Sequence, residues 1–177
     1  MHPISNGKNQ IVILGLDPGS CVTGYGLLVC DNLGNNYSYL DSGCIKTPGK
    51  ELGGKLVYIY QQVQKITEKY VPQEVAIEQV FVKNNPNSAI KLGQARGAAI
   101  AAALAYGASL AEYAPRVIKQ AVVGYGNADK EQIQTMVRIM LNLPPSLASL
   151  SRSDESDALA IAICHAHSRR LKQLQLN

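Results

Sequence analysis

Residues 11–45 read IVILGLDPGSCVTGYGLLVCDNLGNNYSYLDSGCI, and three strands can be cut from that stretch. Ile11-Val12-Ile13-Leu14-Gly15-Leu16 is a continuous apolar run that stops at the turn signal Asp17-Pro18-Gly19-Ser20. Gly24 to Cys30 and Tyr37 to Ile45 are two further strand-like runs, parted by the turn Asn32-Leu33-Gly34-Asn35. Connections this short suit antiparallel hairpins. Further along, the period changes. Leu52, Leu56, Ile59, Val63 and Ile66 recur at helical spacing, in a helix that must end before Pro72. Val75 to Val80 is expected as a short buried strand, Asn87 to Tyr106 as a long helix and Ser109 to Tyr113 as a short strand. Pro115 to Val123 predicts a short helix with proline in its first turn. Asp129 to Leu141 and Ser153 to Arg170 predict the last two helices. Three strands in a meander, then alternating helix and strand, predict an α/β fold: a mixed five-stranded sheet flanked by helices on both faces.

The chain has 177 residues, of which 46% are hydrophobic and 17% charged, which is enough apolar mass for one core and too little charge for disorder. No internal repeat or linker divides it. We expect one domain over residues 11–170, with a flexible N-terminal tail at 1–10 and a C-terminal tail at 171–177. The most apolar stretch, Gly97 to Ala111, is too short and too rich in alanine to span a bilayer, and MHPISNGKNQ has no signal-like apolar region. The expectation is a soluble, cytoplasmic chain with no membrane partner. Lys and Arg outnumber Asp and Glu by 17 to 13, a mild basic excess that permits a polyanionic ligand without requiring one. Cys21, Cys30, Cys44 and Cys164 have no metal-binding spacing and read as buried free thiols. His165 and His167 are two apart on a helix and so do not share a face, which reads as surface or helix-end placement.

Four carboxylates sit at unusual places. Asp17 closes a strand that is otherwise apolar or Gly, Glu78 interrupts the run Val75 to Val80, and Asp154 and Asp157 open the last helix three residues apart on one face. Each alone has an ordinary explanation: a turn residue, the outward side of an edge strand, or first-turn acids that complement the helix dipole. Their joint occurrence at strand ends and a helix start is the pattern of an α/β site. If the four converge, mutual repulsion raises some of their pKa values unless cations neutralise them. Two Mg²⁺ ions would balance the four charges, and oxygen-only ligands favour Mg²⁺ or Mn²⁺ over zinc. Two metals about 3.5–4 Å apart clamp the attacking and leaving oxygens of an in-line phosphoryl displacement, so the implied substrate is a phosphodiester.

The segments LGLDPGSCVTGYGL (Leu14–Leu27), SGCIKT (Ser42–Thr47), AIEQVF (Ala76–Phe81), NSAIKLGQARGAAI (Asn87–Ile100) and SDESDALAIAICH (Ser153–His165) resemble, in this order, the RuvC family of Holliday-junction resolvases. The resemblance covers roughly residues 10 to 170. It implies a ribonuclease-H-like fold, and it aligns Asp17, Glu78, Asp154 and Asp157 with the family's catalytic, metal-binding acids. It further implies a homodimer that cuts two opposed strands of a four-way DNA junction with Mg²⁺ or Mn²⁺ and works with the RuvA–RuvB branch-migration machinery. Phe81 aligns with a DNA-stacking aromatic, and Lys119 and Lys130 with basic residues near the scissile phosphate, where a cation stabilises developing charge. Lys83, Lys91 and Arg96 add positive charge after Glu78 and are candidate phosphate contacts, with a structural role open for Arg96. The segment Asn84-Asn85-Pro86-Asn87 departs from the family pattern, as does the N-terminal extension.

Other classes fit parts of the sequence. Asp-x-Gly followed by Thr-Gly also resembles the first phosphate loop of actin-like kinases and ATPases, but those enclose nucleotide between two such domains and leave the acidic pair of the last helix unexplained. A non-catalytic junction-binding module would be expected to have lost an acid. A ribonuclease-H-like nuclease acting on RNA remains the main alternative.

Overall fold

The apolar run at residues 11–16 lies in the middle of a sheet, and everything else is arranged around it. The computed structural model describes residues 10–80, 86–143 and 153–174. In chain order these form β1 (Gln10–Asp17), β2 (Val22–Asp31), β3 (Tyr37–Lys46), α1 (Leu52–Tyr70), β4 (Glu74–Glu78), α2 (Pro86–Leu104), β5 (Ser109–Tyr113), α3 (Pro115–Val123), α4 (Lys130–Met140) and α5 (Ser153–Leu174). The strands form one mixed sheet in the order β3-β2-β1-β4-β5. β2 pairs antiparallel with β1 and β3, whereas β4 pairs parallel with β1 and β5. Tight turns make the meander, and the helical crossover α2 makes the parallel step from β4 to β5.

Alternation along β1 divides the core into two layers. Val12, Leu14 and Leu16 pack with Ile59 and Val63 of α1 and with Ala95, Ala99, Ala102 and Ala103 of α2. Ile13 faces the other way, towards Ile118, Ile133, Val137 and the apolar body of α5 from Ala158 to Cys164. α5 therefore lies against the sheet centre, with α3 and α4 beside it. It gets there because the strands beneath it carry glycine. A Cβ on Gly15 would lie 2.1 Å from the Ala158 carbonyl oxygen, one on Gly24 would lie 2.0 Å from the Asp154 carbonyl oxygen, and one on Gly26 would lie 2.8 Å from Leu159. Side chains at these positions would hold the helix off the sheet.

Several ends follow local chemistry. α1 starts at Glu51, whose carboxylate accepts from the amides of Gly53 and Gly54, and it stops at Val71 in the left-handed region (φ 46°), just before Pro72. α4 starts at a reciprocal capping box between Asp129 and Gln132, with bonds of 2.9 and 3.0 Å.

The structure departs from the sequence reading in several places. Gln10, assigned above to the N-terminal tail, is the first residue of β1, and α5 runs on to Leu174, past the expected boundary at Arg170. β4 ends at Glu78 rather than Val80, because β5 supplies its last ladder partner at Tyr113. Cys21 is exposed and Cys44 half-buried, while Cys30 and Cys164 are buried, and all four are free thiols. His165 is buried rather than on the surface. Its Nε2 meets Glu74 Oε2 at 2.5 Å and its Nδ1 meets the Tyr113 hydroxyl at 2.7 Å, while Arg169 pairs with the other oxygen of Glu74. No helix among the described residues is long and apolar enough to cross a membrane.

Candidate active site

Period two decides where the strand acids point. Asp17 shares a face of β1 with Ile13 and Gly15, the residues that meet α5. Glu78 shares a face of β4 with Ala76, in the α5 layer, and with Glu74, bonded to His165 of α5. The parallel β1–β4 ladder ends at the pair Leu16 and Ile77, so Asp17 and Glu78 are the next residues of neighbouring strands, on the same face. Gly24 pairs with Asp17 across the β1–β2 ladder, and at Gly24 the backbone of Asp154 presses on the sheet. The first turn of α5 thus brings Asp154 and Asp157 to the strand ends that carry Asp17 and Glu78.

The electrostatics record this crowding. Burial pushes the Asp17 carboxyl from its ordinary 3.8 up to about 7, and Asp157, Glu78 and Asp154 push in the same direction, against Lys130. Glu78 is raised by burial and then by Asp157, with Lys119 opposing. Asp157 is raised by burial, Lys130 and Lys119 act against this, and Asp154 adds to it. Both lysines border the cleft that Glu78 and Asp157 line, a space of about 260 Å³ walled by Ile118 and Ile133. Lys130, the first residue of α4, holds its Nζ 3.9 Å from Asp157 Oδ2. Lys119 on α3 donates to the Ala128 carbonyl at 2.7 Å, which fixes its ammonium at the cleft edge.

Among the described residues, no three acidic, His or Cys side chains are grouped tightly enough to hold one ion as they stand. The donor set nevertheless suits a hard divalent cation: it is all carboxylate, and the repulsion that lifts Asp17 is what bound positive charge would relieve. Asp17, Glu78, Asp154 and Asp157 are the residues that would hold such an ion.

Of the other residues expected from sequence to touch DNA, Lys91 is exposed on α2. Arg96 turns inward, pairing with Glu112 of β5 at 3.1 Å. Phe81 and Lys83 lie outside the described residues. Two supports escaped the sequence reading. Thr23 is fully buried, and its hydroxyl donates to the Gly19 carbonyl at 3.1 Å and accepts from the Gly19 amide at 3.3 Å, bracing the loop that follows Asp17. Thr47 ties the same loop from β3's side through the carbonyls of Ser20 and Cys21, at 3.1 and 3.2 Å. A threonine amid apolar strand residues was the available signal for Thr23.

A mixed sheet in this order, with acids at the adjoining ends of β1 and β4 and at the start of a helix packed across them, defines a protein of the ribonuclease-H-like class. The family profile described as "Crossover junction endodeoxyribonuclease RuvC" matches residues 13–165, and the chain belongs to that family. RuvC-family proteins are metal-dependent nucleases. The chain is 50% identical over 159 residues to the crossover junction endodeoxyribonuclease RuvC of Tolumonas auensis, covering 90% of this chain and 88% of that one. The solved structure of Thermus thermophilus RuvC in complex with Holliday junction substrate superposes with a TM-score of 0.81 at 32% identity, covering 92% of this chain and 96% of the other. The Fowlpox virus resolvase in complex with Holliday junction DNA shares the fold alone, with a TM-score of 0.60 at 14% identity over 89% of this chain and 98% of the other.

Proposed function

We propose that this chain is a crossover junction endodeoxyribonuclease that resolves four-way DNA junctions by paired phosphodiester cleavage in recombination and repair. The observation that carries this reading is the placement of Asp17, Glu78, Asp154 and Asp157 at the meeting of β1, β4 and α5, where burial first, and then the charges of Asp157, Glu78 and Asp154, push the Asp17 carboxyl up to about 7. In this reading the four acids hold two Mg²⁺ ions, for which Mn²⁺ substitutes, and the ions when bound supply positive charge to the scissile phosphate. Lys130 and Lys119 add fixed cationic charge on the α3–α4 side of the cleft, where it stabilises charge developing on the phosphate. Until cations arrive, Lys130 is also the counter-charge of Asp157.

The remaining parts concern DNA and assembly. Lys83 and Lys91 contact phosphates near the site, and Phe81, three residues after Glu78, stacks on a base of the opened junction. Two opposed cuts need two sites, which a homodimer supplies. Support for the interface comes from α2: Gly93, Gly97 and Ala101 recur at four-residue spacing on its exposed side, with nothing within 4 Å of a Cβ at either glycine. RuvA–RuvB is the partner machinery and the cytoplasm the compartment that this function calls for. The test is cleavage of a four-way DNA junction set against linear duplex DNA and a structured RNA of the same sequence, each with Mg²⁺. Paired nicks in the DNA junction are expected; equal or faster cleavage of the RNA would overturn the reading.

A further inference from the structure

The Arg96 guanidinium has two commitments. Nη2 pairs with Glu112 Oε1 at 3.1 Å, and Nε donates to the main-chain carbonyl of Glu78 at 3.4 Å. Its side chain is only 18% exposed. Three elements meet in this one group: α2 supplies Arg96, β5 supplies Glu112, and β4 ends at the carbonyl being held. Glu112 pairs with Ile77 in the parallel ladder and Tyr113 with Glu78, and the Gln79 amide donates to the Tyr113 carbonyl at 2.8 Å. The guanidinium is therefore anchored on the strand that flanks β4 and grips the last residue of β4.

The approach is from the side opposite to the acids. α2 packs on the face of Val12, Leu14 and Leu16, whereas the Glu78 side chain is on the α5 face. Arg96 thus reaches the main chain of Glu78 and not its carboxylate. A carboxylate at a strand end points wherever the backbone of that residue directs it, so a group that fixes the Glu78 carbonyl also fixes the aim of the side chain. A planar fork offers donors on two edges in fixed relative directions, to a carboxylate on one and a carbonyl on the other, and so sets their mutual placement more rigidly than a freely rotating ammonium does.

We propose that Arg96 and Glu112 are a positioning pair, a clamp that sets the backbone at Glu78 and through it the placement of the Glu78 carboxylate in the acidic site. The inference rests on the reading of Glu78 as a metal-holding acid. It replaces the expectation that Arg96 contacts DNA, since a guanidinium neutralised by Glu112 and turned into the fold offers little to a phosphate.

The test compares Arg96→Gln and Glu112→Gln with the unaltered full-length protein, and includes Glu78→Gln. Junction affinity without divalent metal is measured over a range of salt, the single-turnover cleavage rate of bound junction over a range of Mg²⁺, and the melting temperature alongside. The clamp predicts that both pair variants bind junctions with unchanged affinity and salt slope, cleave ~10–100-fold more slowly, and need more Mg²⁺ for half-maximal rate. If Arg96→Gln weakens binding and lowers the salt slope by about one while Glu112→Gln cleaves normally, Arg96 is a phosphate contact and the proposal fails. It fails equally if both variants melt lower but the folded protein cleaves at the parental rate and Mg²⁺ dependence. An inactive Glu78→Gln beside two normal pair variants overturns the clamp alone. Normal cleavage by Glu78→Gln overturns the role of Glu78 and the clamp with it.

Discussion

On the proposed reading, Asp17 pulls folding and catalysis in opposite directions. Burial among like charges pushes its carboxyl from 3.8 up to about 7, so in the metal-free fold the ionised form is disfavoured. The sign follows from linkage: a carboxyl raised on folding is best accommodated at low pH, and stability is lost as pH rises through the folded value. Asp17→Asn removes that penalty, which at pH 8 is worth of the order of 2–3 kcal/mol after local relaxation. The expected outcome, in the presence of a chelator at pH 8, is a melting temperature about 5 °C above that of the unaltered protein, with the gain shrinking as the pH falls from about 7 towards about 4. A variant that melts lower at pH 8 would show that Asp17 is already neutralised by its protein neighbours. Cleavage should vanish in the same variant, because the neutral amide no longer supplies a negative ligand to the metals.

At the level of elements, the site depends on how closely α5 lies on β1 and β2. The Asp154 carbonyl would sit 2.0 Å from a Cβ on Gly24, so one added methyl displaces the helix start that carries two of the four acids. Gly24→Ala is expected to destabilise the fold by about 1–3 kcal/mol and to reduce cleavage by more than its loss of folded protein explains. Chemical denaturation combined with single-turnover cleavage checks both. A stable Gly24→Ala with parental cleavage would mean that α5 has room to shift. This dependence marks how far the sequence was legible. The apolar run of β1, the boundaries of β5 and α3, and the acids themselves could be read locally, because period, proline and charge are local signals. The glycine contacts could not, since Gly24 and Asp154 are 130 positions apart. For the same reason His165 was misplaced: its partner Glu74 lies 91 residues away, and helix spacing alone could not reveal it. Charge alone makes Arg96 a candidate phosphate contact with a structural role open, whereas its commitment to Glu112 and the Glu78 carbonyl depends on strand order. The resemblance adds roles to the four acids that position already singles out, whereas Phe81 and Lys83 lie outside the described residues.

For the whole molecule, the proposed pair of opposed cuts calls for two sites, and the homodimer proposed to supply them would use the exposed face of α2. Ala95, Ala99, Ala102 and Ala103 are used up against the sheet and α1, while Gly93, Gly97 and Ala101 remain on the outside with Ile90 exposed beside them. Light scattering at working concentration is expected to give twice the chain mass of 19.0 kDa, with or without junction. A monomer with junction bound would contradict the dimer.

On the proposed reading, the acids at the meeting of β1, β4 and α5 perform cleavage while binding rests on other residues. Asp157→Asn separates the two, with junction binding and single-turnover cleavage measured on the same preparation. Asp157 lines the cleft with Glu78 and faces Lys130 at 3.9 Å, and it sits on α5, whose residues from Ala158 to Cys164 are buried. The variant is expected to bind a four-way junction as tightly as the unaltered protein, or slightly more tightly with one negative charge gone, and to produce no nicks at any Mg²⁺ concentration. Cleavage within a few-fold of the parental rate would contradict it.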